Sequence, residues 1–198
     1  TTPATGGPSV LGARIGTATG RLGLRCVTLK TGTHIPADCL AVSGGWSPTV
    51  HLTCHQRGRP VWNKTIAGFI PGGNLPDGMI VTGAANGVMT LANCLKNGLK
   101  AGQQVVRDLG RKPAVIKPPR AADESFAIQA FWHVKGSDKK AFVDFQNDVG
   151  VRDIKQSHRE GFRSVEHLKR YTTLGMATDQ GKIANIPGLA ILADISGK

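Results

Sequence analysis

Apolar and polar residues alternate near the start of the chain in the pattern of short strands. Period-two spacing within the run 13–29 predicts one half-buried face of an antiparallel strand. The residues of that face are Leu22, Leu24, Cys26 and Thr28. A second apolar run, 35–42, predicts another strand that leads into the turn Gly44-Gly45. We therefore expect a small β-rich region at this end of the chain.

The middle of the chain has the pattern of a strand, a turn and a long helix. Residues 78–82 form a short apolar run that predicts a buried strand, and the small residues 83–87 predict a turn. Apolar residues recur at helical spacing over 88–106, although Gly98 and Gly102 weaken that helix. A turn of small residues before a helix lets backbone N–H groups approach a phosphate. The turn lacks the GxGxxG spacing, so by itself it is a weak signal of phosphate binding.

The last part of the chain predicts a strand and three short helices. Residues 141–145 read as a strand, and Asp148 is a candidate cap for the helix that follows. Ser164 is a good N-cap for a second helix, which we expect Gly175 to end. The apolar run 186–195, with a proline near its start, predicts the third helix.

A linker separates these regions. Residues 107–125 are rich in proline and charge and have no apolar period, so we expect them to run extended, before a strand-like segment at 126–134. The pattern predicts one domain over 1–117, a linker and strand over 118–140, and a small helical module over 141–198.

Composition limits the classes of protein to which the chain can belong. Its 198 residues are 40% hydrophobic, enough for one medium domain or two small ones. No stretch approaches the roughly 18 apolar residues that cross a bilayer, and no secretory leader is evident. The four cysteines lack CxxC spacing and fit the reduced thiols of a cytoplasmic protein. No nucleophile elbow or acid–base pair emerges, so we predict neither a catalytic residue nor a metal site.

The net charge of +12 raises nucleic-acid binding as an alternative function. Lys and Arg are spread along the whole chain, and aromatic residues make up only 5% of it, which disfavours a stacking platform for single strands. A basic surface also suits anionic cofactors, folate polyglutamate or an acidic partner subunit. We therefore expect nucleic acid to be an unlikely partner and keep a basic nucleic-acid-binding module as an alternative.

The segment 161–182 carries the most specific signal in the chain. It reads Gly-Phe-Arg-Ser-Val-Glu-His-Leu-Lys-Arg-Tyr-Thr-Thr-Leu-Gly-Met-Ala-Thr-Asp-Gln-Gly-Lys, and Ala-Phe-Val-Asp-Phe-Gln-Asn-Asp-Val precedes it at 141–149. Together the two segments resemble a small helical module in the alpha subunits of heterotetrameric sarcosine oxidases. The resemblance implies an α+β chain, in which the C-terminal part of a two-dinucleotide-binding, disulfide-reductase-like α/β domain precedes the mainly helical module. It covers nearly all of this chain but only a middle portion of such a subunit, as a fragment or a reduced relative.

The same resemblance bears on iron–sulfur chemistry. In related opine and proline dehydrogenase subunits, a similar module holds a two-iron, two-sulfur cluster through four cysteines. The resemblance places those four ligands near Asp144, Gln146, Asp179 and Ala184. None of the four is a cysteine, and such clusters need thiolate donors. We therefore expect the module to lack an iron–sulfur cluster.

The function that the resemblance implies is oxidative demethylation of sarcosine to glycine, in which tetrahydrofolate and oxygen give methylene-tetrahydrofolate and hydrogen peroxide. It implies NAD in the dinucleotide region and flavin mononucleotide (FMN) at the interface with a flavin-bearing beta subunit. Smaller gamma and delta subunits complete the implied hetero-oligomer, and we do not expect this chain to be active alone. The alternative of the same kind is a non-catalytic scaffold subunit of a related opine or proline dehydrogenase complex.

Two sets of residues are implied to bind these cofactors. The residues implied near NAD are Gly44, Gly45, Gly83, Ala84, Asn86 and Gly87. The residues implied near FMN are Arg170, Thr172, Thr173, Thr178, Gln180 and Lys182. The two cations would neutralise phosphate, and the other side chains would donate hydrogen bonds. From residue chemistry alone, the second set also fits a solvated helix face followed by a loop.

Overall fold

A computed structural model describes residues 12–122, 124–136 and 140–198. The chain combines helices with small antiparallel sheets, which confirms the expected mixture of helices and strands. It divides into two compact units, one combining the chain up to Val42 with Phe131–Lys198 and the other spanning Ser43–Ala130. Each unit is a group of residues that pack mainly with one another. The predicted domain boundary near residue 117 is a separate matter and stays a prediction. Parts of the predicted linker and strand, at 123 and 137–139, lie outside the described residues.

The first unit begins with a three-stranded antiparallel sheet in the order β1-β2-β3. Its strands are β1 (Ile15–Thr19), β2 (Cys26–Leu29) and β3 (His34–Pro36). The predicted buried face is wrong, because Leu22 is fully exposed while Val27 and Leu29 are buried. Leu22 lies between β1 and β2, since Thr19 already pairs with Cys26, and the alternation of β2 turns the other face inward.

The second unit contains few regular elements. It comprises a hairpin of β4 (Val61–Asn63) and β5 (Gly68–Ile70), 3-10 turns at His51–Cys54 and Gly83–Asn86, and the helix α1 (Leu91–Asp108). The turn of small residues before a long helix is therefore confirmed, with the helix starting three residues later than predicted.

Three predicted strands are wrong or shortened. In the run 35–42 the strand ends at Pro36. The runs 78–82 and 126–134 contain no described strand. Ile80, in the run expected to be buried, is 42% exposed. Among the described residues, no strand pairs with 78–82, with 126–134 or with the part of 35–42 after Pro36, and an apolar run forms a strand only against such a partner.

The C-terminal part of the first unit is a small helical module built on one hydrophobic core. Its elements are β6 (Phe142–Asp144), β7 (Val149–Gly150), α2 (Val151–Arg159), α3 (Val165–Thr172) and α4 (Asn185–Ser196). The buried core residues are Val143, Val149, Val151, Ile154, Leu168, Leu174, Ala184, Ile191 and Leu192. The predicted strand and all three predicted helices are thus present. No described helix is long and apolar enough to cross a membrane.

Helix caps fix where these helices begin. The amide of His167 donates to the Ser164 hydroxyl at 3.3 Å, which confirms Ser164 as the N-cap of α3. Asp148 does not cap α2, because the cap position is Gly150 and its amide donates to the Asp153 carboxylate at 2.7 Å. Helix α3 ends at Thr172, before Gly175, and Thr173 takes the left-handed conformation with φ 62°.

The close approach of α4 to the core generates a test of the fold. A Cβ atom at Gly188 would lie 2.5 Å from Leu174 Cδ2, and Leu174 is fully buried. We expect Gly188→Ala to lower the free energy of unfolding by about 1–3 kcal/mol through overpacking, measured by chemical denaturation. Gly98→Ala on α1, where a Cβ would meet nothing within 4 Å, is the matched control and should raise it by about 0.5–1 kcal/mol. Stabilisation by both substitutions would contradict the packing described here.

Candidate functional site

The Asp144 carboxylate is the centre of the hydrogen-bond network at one end of the helical module. Asp144 is only 3% exposed, and its Oδ1 accepts from the amides of Gln146 at 2.9 Å and Asn147 at 3.1 Å. Its Oδ2 accepts from the amide of Gly175 at 2.8 Å. One buried carboxylate therefore closes its own turn and binds it to the turn that follows α3.

Two side-chain bonds strengthen the same junction. Asn147 Nδ2 donates to the Thr173 carbonyl at 2.8 Å, and Thr178 Oγ1 donates to Gln146 Oε1 at 2.8 Å. We call the segments 144–147 and 173–181 the paired turns. Their polar groups are largely satisfied by one another, so the paired turns form a defined surface rather than a loose loop.

Asn185, at the start of α4, packs under the second of the paired turns. A Cβ atom at Gly175 would lie 2.1 Å from Asn185 Oδ1, and one at Gly181 would lie 2.3 Å from the same atom. Both glycines have positive φ, at 67° and 72°. Only glycine fits these positions without displacing Asn185, so the shape of this turn depends on Gly175 and Gly181.

The positions implied to match cluster ligands have other roles in this fold. Asp144 and Gln146 join the paired turns, and Asp179 accepts from the amides of Gly181 at 3.1 Å and Ile183 at 3.4 Å. Ala184 belongs to the hydrophobic core. Among the described residues, no group of three or more His, Cys, Asp or Glu side chains could hold a metal ion. The absence of an iron–sulfur cluster stays a prediction.

Five of the six residues implied near FMN lie on α3 or on the second paired turn, and Lys182 directly follows that turn. Their side chains differ in how many hydrogen bonds they already form. The hydroxyls of Thr172 and Thr173 already donate to the carbonyls of Leu168 at 2.7 Å and Thr172 at 2.6 Å, and Gln180 Nε2 donates to the Ala177 carbonyl at 3.3 Å. The side chains of Arg170 and Lys182 are exposed and have no ion-pair or hydrogen-bond partner among the described residues. The two cations are therefore the donors most available to an external anion.

A polar groove of about 300 Å³ lies beside these residues. It is lined by Asn147, Asp148, Val149, Asp153, Gln156, Tyr171 and Thr172. Of the residues implied near FMN, only Thr172 reaches it, and its lining contains two carboxylates and no cation. The Tyr171 hydroxyl donates to Glu160, which lowers the pKa of that carboxyl and raises the pKa of the phenol. This charge pattern does not suit a phosphate, so an anion would have to bind outside the groove.

In the second unit, the backbone amides at the start of α1 have no side-chain acceptor among the described residues, a feature that the sequence did not reveal. Thr90 holds the N-cap position, but its hydroxyl accepts no backbone hydrogen bond. Thr90 is 7% exposed, and the hydroxyls of both Thr90 and Thr82 are buried without a hydrogen-bond partner in the part of the chain that the structure describes. No acidic residue occupies the first turn of α1. The amides at this helix start therefore keep their partial positive charge without a side-chain acceptor.

Most of the residues implied near NAD surround this helix start. Gly83, Ala84 and Asn86 form the 3-10 turn before it, which Thr82 precedes. Gly87 has φ 79°, and a Cβ atom there would lie 2.7 Å from Ile70 Cγ2, so packing alone already requires glycine. Gly44 and Gly45 lie in an irregular segment of the same unit, where Gly45 has φ 108°.

Comparisons with known proteins relate this chain to one family. Residues 138–198 match the family model described as the sarcosine oxidase A3 domain. The sarcosine oxidase subunit alpha of Rhizobium meliloti (strain 1021) is 43% identical over 165 residues, which cover 82% of this chain and 17% of that protein. The subunit of the same name from Corynebacterium sp. (strain U-96) is 33% identical over 168 residues, covering 81% and 17%. The chain thus spans about a sixth of the length of these curated relatives.

One solved structure shows the fold of the chain in another protein. The L-proline dehydrogenase from P. horikoshii matches with a TM-score of 0.70 and 21% sequence identity, over 93% of this chain and 39% of that one. At this identity the likeness supports the mixed α and β architecture and carries no functional assignment.

The network at Asp144 generates a prediction for stability. In Asp144→Asn the amide nitrogen would face a backbone N–H, so at least one of the three bonds is lost and a donor is left buried. We expect the free energy of unfolding to fall by about 2–3 kcal/mol, measured by chemical denaturation. Asp148→Asn is the control, because Asp148 is exposed at φ 56°, where asparagine is tolerated, and it should change stability by less than about 0.5 kcal/mol. Equal effects of the two changes would show that the network does not hold the paired turns.

Proposed function

Because this chain corresponds to a portion of a sarcosine oxidase alpha subunit, we propose that it binds NAD in one unit and helps to form an FMN site with a beta subunit through the other. The proposed complex, with gamma and delta subunits, converts sarcosine, tetrahydrofolate and oxygen to glycine, methylene-tetrahydrofolate and hydrogen peroxide. The observation that carries this proposal is the 43% identity to a sarcosine oxidase alpha subunit over 82% of the chain. The redox chemistry belongs to the bound cofactors, and the residues of this chain bind and orient them.

Support for NAD binding comes from the start of α1. A helix start with free amides attracts anions, and the pyrophosphate of a dinucleotide is such an anion. Gly83 has no side chain and Ala84 has only a methyl group, so the backbone of the preceding turn stays accessible to a ligand. The unpaired hydroxyls of Thr82 and Thr90 show that the polar groups of this region are not satisfied within the described chain. We place the pyrophosphate at the amides of α1 and assign Gly83, Ala84, Asn86 and Gly87 to the adjacent turn.

Support for FMN binding comes from the cations beside the paired turns. Arg170 and Lys182 are exposed and flank the segment that Asp144 and Gly175 hold in place. A phosphate between the two cations would gain charge-assisted hydrogen bonds, for which the planar guanidinium of Arg170 is the better donor. Thr172, Thr173, Thr178 and Gln180 shape the turn, because the side chain of each donates a hydrogen bond within the chain. Their part in the site is thus to position backbone and cations.

The helix start of α1 generates a test in which stability and binding change in opposite directions. Asn93→Asp would add a carboxylate to the first turn of α1, which should stabilise the helix by about 0.3–1 kcal/mol. The same carboxylate would repel a pyrophosphate, and we expect the affinity for NAD to fall about threefold to tenfold. Ligand-observed NMR titration detects such changes even at millimolar affinity.

The control for that test is Asn97→Asp, one turn further along α1 and about 6 Å from the first site by helical rise. It adds the same charge away from the free amides and should weaken NAD binding much less. Equal losses from the two substitutions, or unchanged affinity in Asn93→Asp, would remove NAD from the start of α1.

The FMN proposal is tested at its two cations in the assembled complex. We expect Arg170→Ala and Lys182→Ala to lower FMN occupancy, read from the flavin absorption per complex, without dissociating the subunits. Arg170→Lys should restore little of the loss, because an ammonium cannot reproduce the two parallel bonds of a guanidinium. Lys155→Ala, an exposed cation on α2, is the control of equal charge. Full occupancy in the Arg170 and Lys182 variants would identify this segment as a solvated helix face and loop.

A further inference from the structure

An exposed apolar patch lies on the paired turns and the strand before them. It consists of Phe142, Phe145 and Met176, which are 38%, 70% and 58% exposed. The rings of Phe142 and Phe145 contact each other, with centroids 5.8 Å apart. Scattered exposed apolar residues need no explanation, but neighbouring ones on a fixed surface are typical of an interaction site.

Met176 belongs to the same patch as Phe145, because hydrogen bonds on both sides bring their segments together. Asp144, just before Phe145, accepts from the amide of Gly175, just before Met176, at 2.8 Å. Gln146, just after Phe145, accepts from Thr178, two residues after Met176, at 2.8 Å. The Phe145 ring and the Met176 thioether therefore extend from neighbouring backbone segments that two hydrogen bonds join.

The patch is held outward at a cost in free energy. The bonds of the buried Asp144 fix the backbone on both sides of Phe145, so this ring cannot fold into the core without breaking them. Aromatic residues and methionine are the types enriched at the centres of protein interfaces. A second protein that covered the three side chains would remove their apolar surface from water. Because the turns are already ordered, binding would not cost the conformational entropy of ordering them.

Positive charge borders the patch. Lys140 Nζ lies 5.5 Å from the centroid of the Phe142 ring, and Lys182 is exposed on the turn that follows Met176. The nearby Asp179 carboxylate accepts from backbone amides, which offsets part of its charge locally. In a symmetric pair of copies meeting at this patch, the lysines of both would come together. The border therefore favours an acidic partner over a second copy of this chain, which itself carries a net charge of +12.

We propose that Phe142, Phe145 and Met176 form the apolar centre of the surface that docks the flavin-bearing partner subunit, and that Lys140 meets a carboxylate of that subunit at its margin. The proposal rests on the proposed function, because it takes the partner from there. It deepens that function by separating the residues that hold the partner from those that hold the cofactor.

The experiment is co-purification of the tagged chain with co-expressed sarcosine oxidase subunits, carried out for the double substitution Phe145→Ser and Met176→Ser. We expect capture of the flavin-bearing subunit to fall at least tenfold, while the thermal unfolding of the chain stays unchanged, because both side chains are already exposed. Leu22→Ser, at an exposed leucine of the first unit outside the patch, is the matched control and should capture normally. Lys140→Glu should lower capture and make it less sensitive to salt.

The outcomes separate this proposal from the one on which it rests. If the unmodified chain captures no flavin-bearing subunit, the proposed function fails. If it captures the subunit and the double variant does so equally well, the docking surface is elsewhere. If sedimentation shows the unmodified chain to be a dimer by itself and the double variant a monomer, the patch binds a second copy and the proposal of an acidic partner is wrong. Loss of FMN with intact assembly in Arg170→Ala, together with lost assembly in the double variant, would support both.

Discussion

The hydrogen bonds that the buried Asp144 carboxylate accepts hold the paired turns of the helical module in place, and with them the exposed residues that these turns carry. A carboxylate in a buried position needs hydrogen-bond donors, and here three backbone amides from two separate turns supply them. Because those turns carry the exposed apolar patch and lie beside Arg170 and Lys182, one interaction fixes the relative placement of the proposed partner and cofactor contacts. Asp144 touches neither ligand in this proposal, and its role is to position the residues that do.

Packing of Asn185 against the second paired turn also holds that turn in place. Gly175 and Gly181 lie so close to Asn185 that any Cβ atom would displace it. The turn is therefore held by Asp144 from one side and by the start of α4 from the other. In the resemblance to cluster-bearing modules, the positions of the metal ligands fall on this same junction. In this chain the residues at these positions form hydrogen bonds at the junction or, in the case of Ala184, belong to the hydrophobic core.

The local features of the fold could be predicted from the sequence, and the non-local ones could not. Ser164 was identifiable as a cap because its bond to His167 spans three residues. The run 78–82 has the composition of a buried strand, but strand formation depends on a partner that no local pattern specifies. Alternation in the first strands was visible, whereas the choice of inward face depended on where the turn containing Leu22 ends. The bond from Asp144 to Gly175 joins residues 31 positions apart, so only the folded chain reveals it.

Polar groups are used differently in the two units, and this difference separates structural from binding roles. The starts of α2 and α3 are satisfied within the chain by Asp153 and Ser164. The start of α1 has a cap residue of the right type, Thr90, but its hydroxyl forms no hydrogen bond with the described residues, and the first turn contains no acidic residue. A helix whose first amides lack acceptors is less stable than it could be, and an anionic ligand removes that deficit when it binds. The module leaves apolar side chains and cations exposed around a satisfied polar network, which suits contact with a protein. The second unit thus exposes helix-start amides that the proposed anionic ligand would bind, and the helical module exposes apolar side chains and cations that the proposed partner subunit and cofactor would contact.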